Sequence, residues 1–517
     1  MSAESEASVA GGPSQYLRGG ALFGVIFLLA LANFMAVLDL TIVNVAVPHI
    51  AGALAVSPNE GTWVITSYAV AEAITVPLSG WLAARFGAVR VFVIAASGFG
   101  LFSFLCGFAP SLGALVVFRL LQGFSGGPLM PMSQTLLMRV TPPKRVQMAL
   151  GLQTMTTIIA PIAGPVLGGI LTDSVGYPWA FYINVPIAIF VALSVWSVLR
   201  SRETKTMNQP VDYVGLGLLV LWIGALQIML DNGQDKDWFG SPFIVTLAVI
   251  AGIGFVAFLI WELTDDHPIV DLSVFRIRTF SVMAGAMALT FGSFFGTIVL
   301  IPLWLQSNMG YTATSAGDVM AFQGVLGVAM APVAAMLISR MDPRLLMSVG
   351  LSILAAVTFW RTSFDRDITF WQLTLPQLAT GLGIPLFFVP LLGLSIAAVP
   401  PAQTASAAGL VNFIRTMSGA FGTALATTAW DRATTSARVD LVGNLHQPQN
   451  MLTVMQSHGM SATQALNNFD SLVQSQAVML ATNRVFLTLA IIIAAVAVGV
   501  WLSPRPKTPV AMGAGAH

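Results

Sequence analysis

ALFGVIFLLALANFMAVLDLTIVNVAV, residues 21–47, holds a single charged side chain, Asp39. A helix crosses a bilayer with about 20 mostly apolar residues, and this run exceeds that. It follows a polar tail in which Arg18 is the only basic residue. It outruns a signal-peptide core and lacks a cleavage pattern, so it is expected to remain as a first membrane span. Comparable runs follow at Gly61–Ala83, Val89–Ala109, Leu112–Gln134, Gln147–Ile170, Pro178–Leu199, Val214–Leu230, Pro242–Trp261, Phe280–Leu303, Ala316–Ile338, Leu345–Trp360, Leu373–Ile396, Ala405–Ala429 and Val485–Leu502. These fourteen runs predict an all-α integral membrane protein.

Composition agrees. The 517 residues are 56% hydrophobic and only 9% charged, with mean hydropathy +0.81. Soluble domains carry about 25% charged residues, so most of this surface must face lipid. A net charge of +1 gives no reason to expect nucleic acid as a partner. The one cysteine, Cys106, excludes a disulfide framework. The histidines, His49, His267, His446, His458 and His517, have no metal-ligand spacing. No nucleotide fingerprint or catalytic triad occurs, so neither an enzyme nor an ATP-driven pump is expected, and no cofactor is implied. An ion gradient is the remaining energy source.

Most loops are short. The exception runs from Trp430 to Asn483 and is rich in Asn, Gln and Ser. With the N-terminus inside, the inner loops hold Arg85, Arg90, Arg139, Lys144, Arg145, Arg200, Arg202, Lys205, Arg276, Arg278, Arg340 and Arg344, and the tails hold Arg18, Arg505 and Lys507. The short outer loops hold only Lys236, Arg361 and Arg366, and the long one adds Arg432, Arg438 and Arg484. The excess of basic residues inside predicts that both termini are cytoplasmic and the long loop is external.

The chain also repeats itself weakly. Arg119-Leu-Leu-Gln-Gly123 is matched by Gln377-Leu-Ala-Thr-Gly381, and Gly151-Leu152 with Gly164 by Gly409-Leu410 with Gly422, at an offset of 258. Gly80 to Arg85 is matched by Ala335 to Arg340, at 255. Matched spans lie eight apart, which predicts two six-helix halves, 21–200 and 266–503, separated by an inserted pair in 201–265. The segments 1–20 and 504–517 are then cytoplasmic tails, and 430–483 belongs to the second half. Internal duplication is a mark of transporters, which handle substrate between the halves.

Ionisable groups at bilayer depth cost several kcal/mol and survive where they face the bundle interior. Five stand out: Asp39, Glu72, Arg119, Asp318 and Arg415. A carboxylate in a dry site can load and release protons. The structural alternative is a fixed ion pair, such as Asp39 with Arg119. Asp318 lies near the outer face, where water reaches. Arg119 and Arg415 fit better as organisers of carboxylates than as substrate ligands. Gly164-Pro-Val-Leu-Gly-Gly169 would allow close helix approach, and Pro165 a bend. Arg85, Arg90, Arg340 and Arg344 recur at the inner face of both halves.

These strings resemble the major facilitator superfamily. Leu38-Asp-Leu-Thr-Ile-Val-Asn-Val-Ala-Val-Pro48 is similar to the first-span signature of its fourteen-helix drug:proton antiporters. Gly80 to Arg90, including Arg85 and Gly87, is similar to the family's loop between spans 2 and 3, except that an expected Asp is Ala84. Arg119 to Gly123 resembles the span-4 motif tied to proton transfer. Gly164, Pro165, Gly168 and Gly169 resemble the span-5 antiporter motif. Pro178-Trp-Ala-Phe-Tyr-Ile-Asn-Val-Pro186 adds to this. Other strings, such as Asn412-Phe-Ile-Arg-Thr416, resemble inner-membrane components of tripartite efflux systems. Glu72 and Asp318 fall outside the resemblance.

The resemblance implies a proton-coupled exporter of hydrophobic and amphipathic drugs in the bacterial inner membrane. It would work by alternating access with a periplasmic adaptor and an outer-membrane channel as partners. Proton coupling would fall on Asp39 and Arg119, with Glu72 as a further candidate. An uptake symporter of the same fold and a non-transporting sensor or scaffold are the rivals. The antiporter motif argues against the first, the intramembrane charges and the repeat against the second.

Overall fold

A computed structural model describes residues 16–505 except 205, 208, 209, 339, 366, 445–447 and 459. Among the described residues there are helices and turns and no strand. In lipid every backbone polar group must be satisfied within the protein, and helices achieve this segment by segment. Among the described residues, eleven helices are long and apolar enough to cross a membrane.

The first group is α1 (Gly19–Ala53), α2 (Trp63–Thr75), α3 (Ser79–Phe86), α4 (Ala88–Gly107), α5 (Leu112–Gly126), α6 (Leu129–Val140), α7 (Val146–Ser174) and α8 (Asn184–Leu199). Two predicted spans are broken within this group. The second is interrupted at 76–78, around Pro77, and the fourth at Gly127 and Pro128. Proline has no N–H to continue a helical ladder. The inserted pair is α9 (Tyr213–Asn232) and α10 (Pro242–Thr264). Then come α11 (Arg278–Asn308), α12 (Ala313–Ile338), α13 (Pro343–Trp360), α14 (Phe370–Ala397), α15 (Thr404–Gly443), α16 (Pro448–Ser457) and α17 (Ala462–Gly499).

Packing follows the duplication. In the first group α1 packs on α7, α2 on α5, and α4 on α5 and α8. In the last, α11 packs on α15, α12 on α14, and α13 on α14 and α17. Helices α9 and α10 pack on each other, and α9 also touches α2 and α15. The apolar window of α14 is 89% buried and that of α10 only 22%. Helix α14 is therefore a central rod, and α10 presents Val249, Ile253 and Ile260 outward, as a lipid-facing helix must.

The expected long loop is mostly helix. Helix α15 continues to Gly443 and α17 begins at Ala462, with α16 between them. The two long helices form a hairpin fastened by Arg438 to Asp470 at 2.6 Å and by Trp430 Nε1 donating to Thr482 Oγ1 at 2.8 Å. Hydropathy does not report such helices, because outside the membrane they have no reason to be apolar throughout.

Candidate functional site: a buried carboxylate–guanidinium network

Helix α1 carries Asp39 and α5 carries Arg119, and both side chains are fully buried. Arg119 Nη1 donates to Asp39 Oδ2 at 2.6 Å. The other carboxylate oxygen, Oδ1, accepts from Gln122 Nε2 at 3.0 Å and from Asn184 Nδ2 at 2.8 Å. Asn184 also donates to Ser103 Oγ at 3.1 Å, which donates to the Phe181 carbonyl at 2.8 Å. Arg119 further donates from Nε to the Val64 carbonyl at 3.0 Å and from Nη1 to Gln122 Oε1 at 2.8 Å. Its guanidinium lies 4.2 Å from the Tyr68 ring centroid. Helices α5 and α8 thus converge on the carboxylate of α1, and α2 and α4 brace their donors. Three charged or amide donors surround it, the arrangement a buried charge requires.

Asn184 and Ser103 are partners that a search for charges passes over. Asn184 lies inside the quoted Pro178–Pro186 string, which was its only signal. Gln122 sits one turn along α5 from Arg119, on the same face.

Glu72 lies on α2, half-buried, and makes no side-chain hydrogen bond or ion pair among the described residues. The charges that bear on it are Arg415 first, then Arg119 and Asp39. Arg415 on α15 reaches the other way, with Nη2 3.2 Å from Met130 Sδ. Asp318 is exposed and apart from this network.

The antiporter-motif glycines meet α1. A Cβ on Gly164 would collide with Thr41, and one on Gly168 would sit 3.2 Å from the Ile42 carbonyl oxygen. Gly169 has open space around it. The side chain of Pro165 lies outside the described residues. Close approach of α7 to α1 is thus the physical content of two of the four motif positions.

At the ends assigned to the cytoplasm the two groups of helices lock together. Gly80 on α3 lies against Ser406 on α15, where a Cβ would collide. A Cβ on Gly151 of α7 would lie 2.9 Å from Ala335 of α12. Asn412 Nδ2 donates to Gln134 Oε1 at 2.8 Å, joining α15 to α6.

The arginines expected at the inner face divide by partner. Arg344 pairs with Asp342 at 2.9 Å and donates to the Ser503 carbonyl at 2.9 Å. The side-chain hydrogen bond from Arg344 holds the Asp342 carboxyl below its usual range. Arg85 stacks on Trp81, 5.5 Å from the ring centroid. Arg90 and Arg340 are exposed. Gly87 has φ +92°, a left-handed conformation that glycine tolerates.

A distant acid lies against this loop. Glu203, beyond α8, accepts from Val89 N and Arg90 N at 2.9 Å each, and the neighbouring Thr204 Oγ1 accepts from Ala88 N at 2.9 Å. A carboxylate at a helix N-terminus satisfies orphan N–H groups and the helix dipole together. Nothing local in the sequence signals it, since 113 residues separate Glu203 from Arg90.

Comparison with known proteins fits this architecture. The chain is 41% identical to multidrug export protein EmrB of Haemophilus influenzae, over 95% of this chain and 97% of that protein. It is 42% identical to fatty acid resistance protein FarB of Neisseria gonorrhoeae, over 97% and 99%. It is 40% identical to EmrB of Escherichia coli K12, over 97% and 99%. The fold is shared with the human organic anion transporter MFSD10 (TETRAN), at TM-score 0.60 and 14% identity, over 92% of this chain and 100% of that one. The profile of the Major Facilitator Superfamily matches residues 29–423, and the chain belongs to that superfamily.

Proposed function

We propose that this protein is a multidrug efflux transporter that exchanges protons for hydrophobic and amphipathic small molecules by alternating access. Two six-helix halves, 21–200 and 266–503, would rock about the interface that α7, α12, α14 and α15 form, with the pair in 201–265 beside it. The efflux names of the relatives support the substrate class. The observation that carries proton coupling is Asp39, wholly buried and facing the donors of Arg119, Gln122 and Asn184. Separating Asp39 from Arg119 would leave an unpaired charge in a dry site, and a proton would neutralise it. Re-forming the pair would expel that proton. Glu72 is a secondary candidate, because it lacks such a network. A conformational cycle follows only if drug and proton bind its states differently. The test is drug flux in sealed vesicles under an imposed pH gradient. Flux that ignores the gradient in wild-type protein removes the coupling.

We also propose that the chain lies in the bacterial inner membrane with both termini cytoplasmic, and that the hairpin of α15, α16 and α17 docks a periplasmic adaptor that leads to an outer-membrane channel. Val439, Val442, Met451, Val454 and Leu466 are exposed there. An exposed apolar patch outside the lipid zone favours a protein partner. Deleting residues 451–476 should abolish co-purification with the adaptor and cellular resistance. Retention of both would remove the docking.

A further inference from the structure

At the offset that relates Arg119 to Gln377, Asp39 corresponds to Thr297, Gln122 to Thr380, and Ser103 to Arg361. The structure brings these four together again: Thr297, Arg361, Gln377 and Thr380 line one cavity, with Thr290 and Gln323. The polar cluster of the first group of helices therefore has a counterpart in the second, with its charges rearranged. The acid has become threonine, the arginine glutamine, and a serine has become arginine.

Arg361 is 2% exposed. Its Nη2 donates to Thr380 Oγ1 at 2.8 Å and to Gln377 Oε1 at 3.1 Å, both neutral acceptors. Its Nε finds no acceptor, nor does the Thr290 hydroxyl find a partner. No ion pair forms at Arg361 among the described residues. The C-terminal end of α13 offers at most about half a negative charge. A guanidinium buried without a counter-charge is strongly disfavoured. The free space beside it is on the scale of one water molecule.

We propose that this cavity is a binding site for a monovalent anion, held by Arg361 Nε and the Thr290 hydroxyl. A space on the scale of one water molecule admits a halide, such as chloride. The site stands independently of proton coupling and of the direction of transport, so its test reads binding rather than flux.

The experiment measures the unfolding temperature of full-length protein in nanodiscs. Sodium isethionate, whose anion is bulky, keeps ionic strength constant while chloride is titrated in. A saturable rise with chloride is expected for wild type. Arg361→Gln should abolish the response. Thr290→Val, which keeps the arginine, should raise the half-saturating concentration about tenfold. Thr297→Asp supplies a carboxylate from the protein itself and should also abolish the response. No saturable rise in wild type, or an equal rise in Arg361→Gln, overturns the proposal.

Discussion

The two polar clusters occupy equivalent positions but answer a buried charge differently. In the first, Asp39 and Arg119 neutralise each other, and Gln122 and Asn184 complete the carboxylate shell. In the second, Arg361 has only Gln377 and Thr380 as acceptors. Duplication preserved the place where polar groups meet, and substitution changed what those groups can bind. In the first cluster opposite charges cancel, which suits a group that switches between charged and neutral. The second keeps a fixed positive charge, because arginine does not lose its proton.

Breaking the first cluster should have the larger consequence. Arg119→Ala leaves the Asp39 carboxylate buried without its cation, and losing one member of a buried pair costs about 3–5 kcal/mol. Chemical denaturation of purified protein should show that loss, and transport should stop with it. Adding Asp39→Asn to Arg119→Ala should restore part of the stability, since the stranded charge is gone. A double variant as unstable as the sum of the singles would mean that the two residues do not act as a pair.

Thr297→Asp makes the second cluster resemble the first. If Arg361 lacks a protein counter-charge, the new carboxylate should stabilise the fold in anion-poor buffer by about 1.5–3 kcal/mol, the range of a hydrogen bond to a charged group. Destabilisation of that size instead would show that Arg361 is already compensated.

The smallest effect is expected between the clusters. Glu72 is half-buried and without a hydrogen bond among the described residues, so its interaction with Arg415 should contribute only about 1 kcal/mol. Glu72→Gln should lower proton-driven flux by about fivefold, about 1 kcal/mol in the barrier, and lower the unfolding temperature only slightly. Complete loss of flux would give Glu72 a role equal to that of Asp39.

Much of the first cluster was legible in the sequence. Asp39 and Arg119 announce themselves, because charges in apolar runs are costly and therefore few. Their shared depth follows from the alternating direction of the spans. The amide and hydroxyl partners were not legible, because Asn184 and Ser103 carry no such cost and resemble ordinary polar residues. Arg361 was masked for a different reason. It stands at the edge of an apolar run, where a basic residue is read as topology, and only the turn at Arg361–Ser363 shows that it folds back inward. Glu203 was hidden by sequence separation. The full length of the helices in 430–483 was hidden by their polarity, since helices outside lipid leave no hydropathy signature.

The central claim is that Asp39 carries the proton, and one measurement addresses it directly. Asp39→Asn protein is reconstituted in vesicles at wild-type density, and drug flux is followed while a pH gradient is imposed. Drug affinity and downhill exchange are measured on the same preparation. The account predicts that Asp39→Asn binds and exchanges drug but no longer moves it in response to the gradient. Gradient-driven flux at the wild-type rate from well-folded Asp39→Asn protein would contradict it.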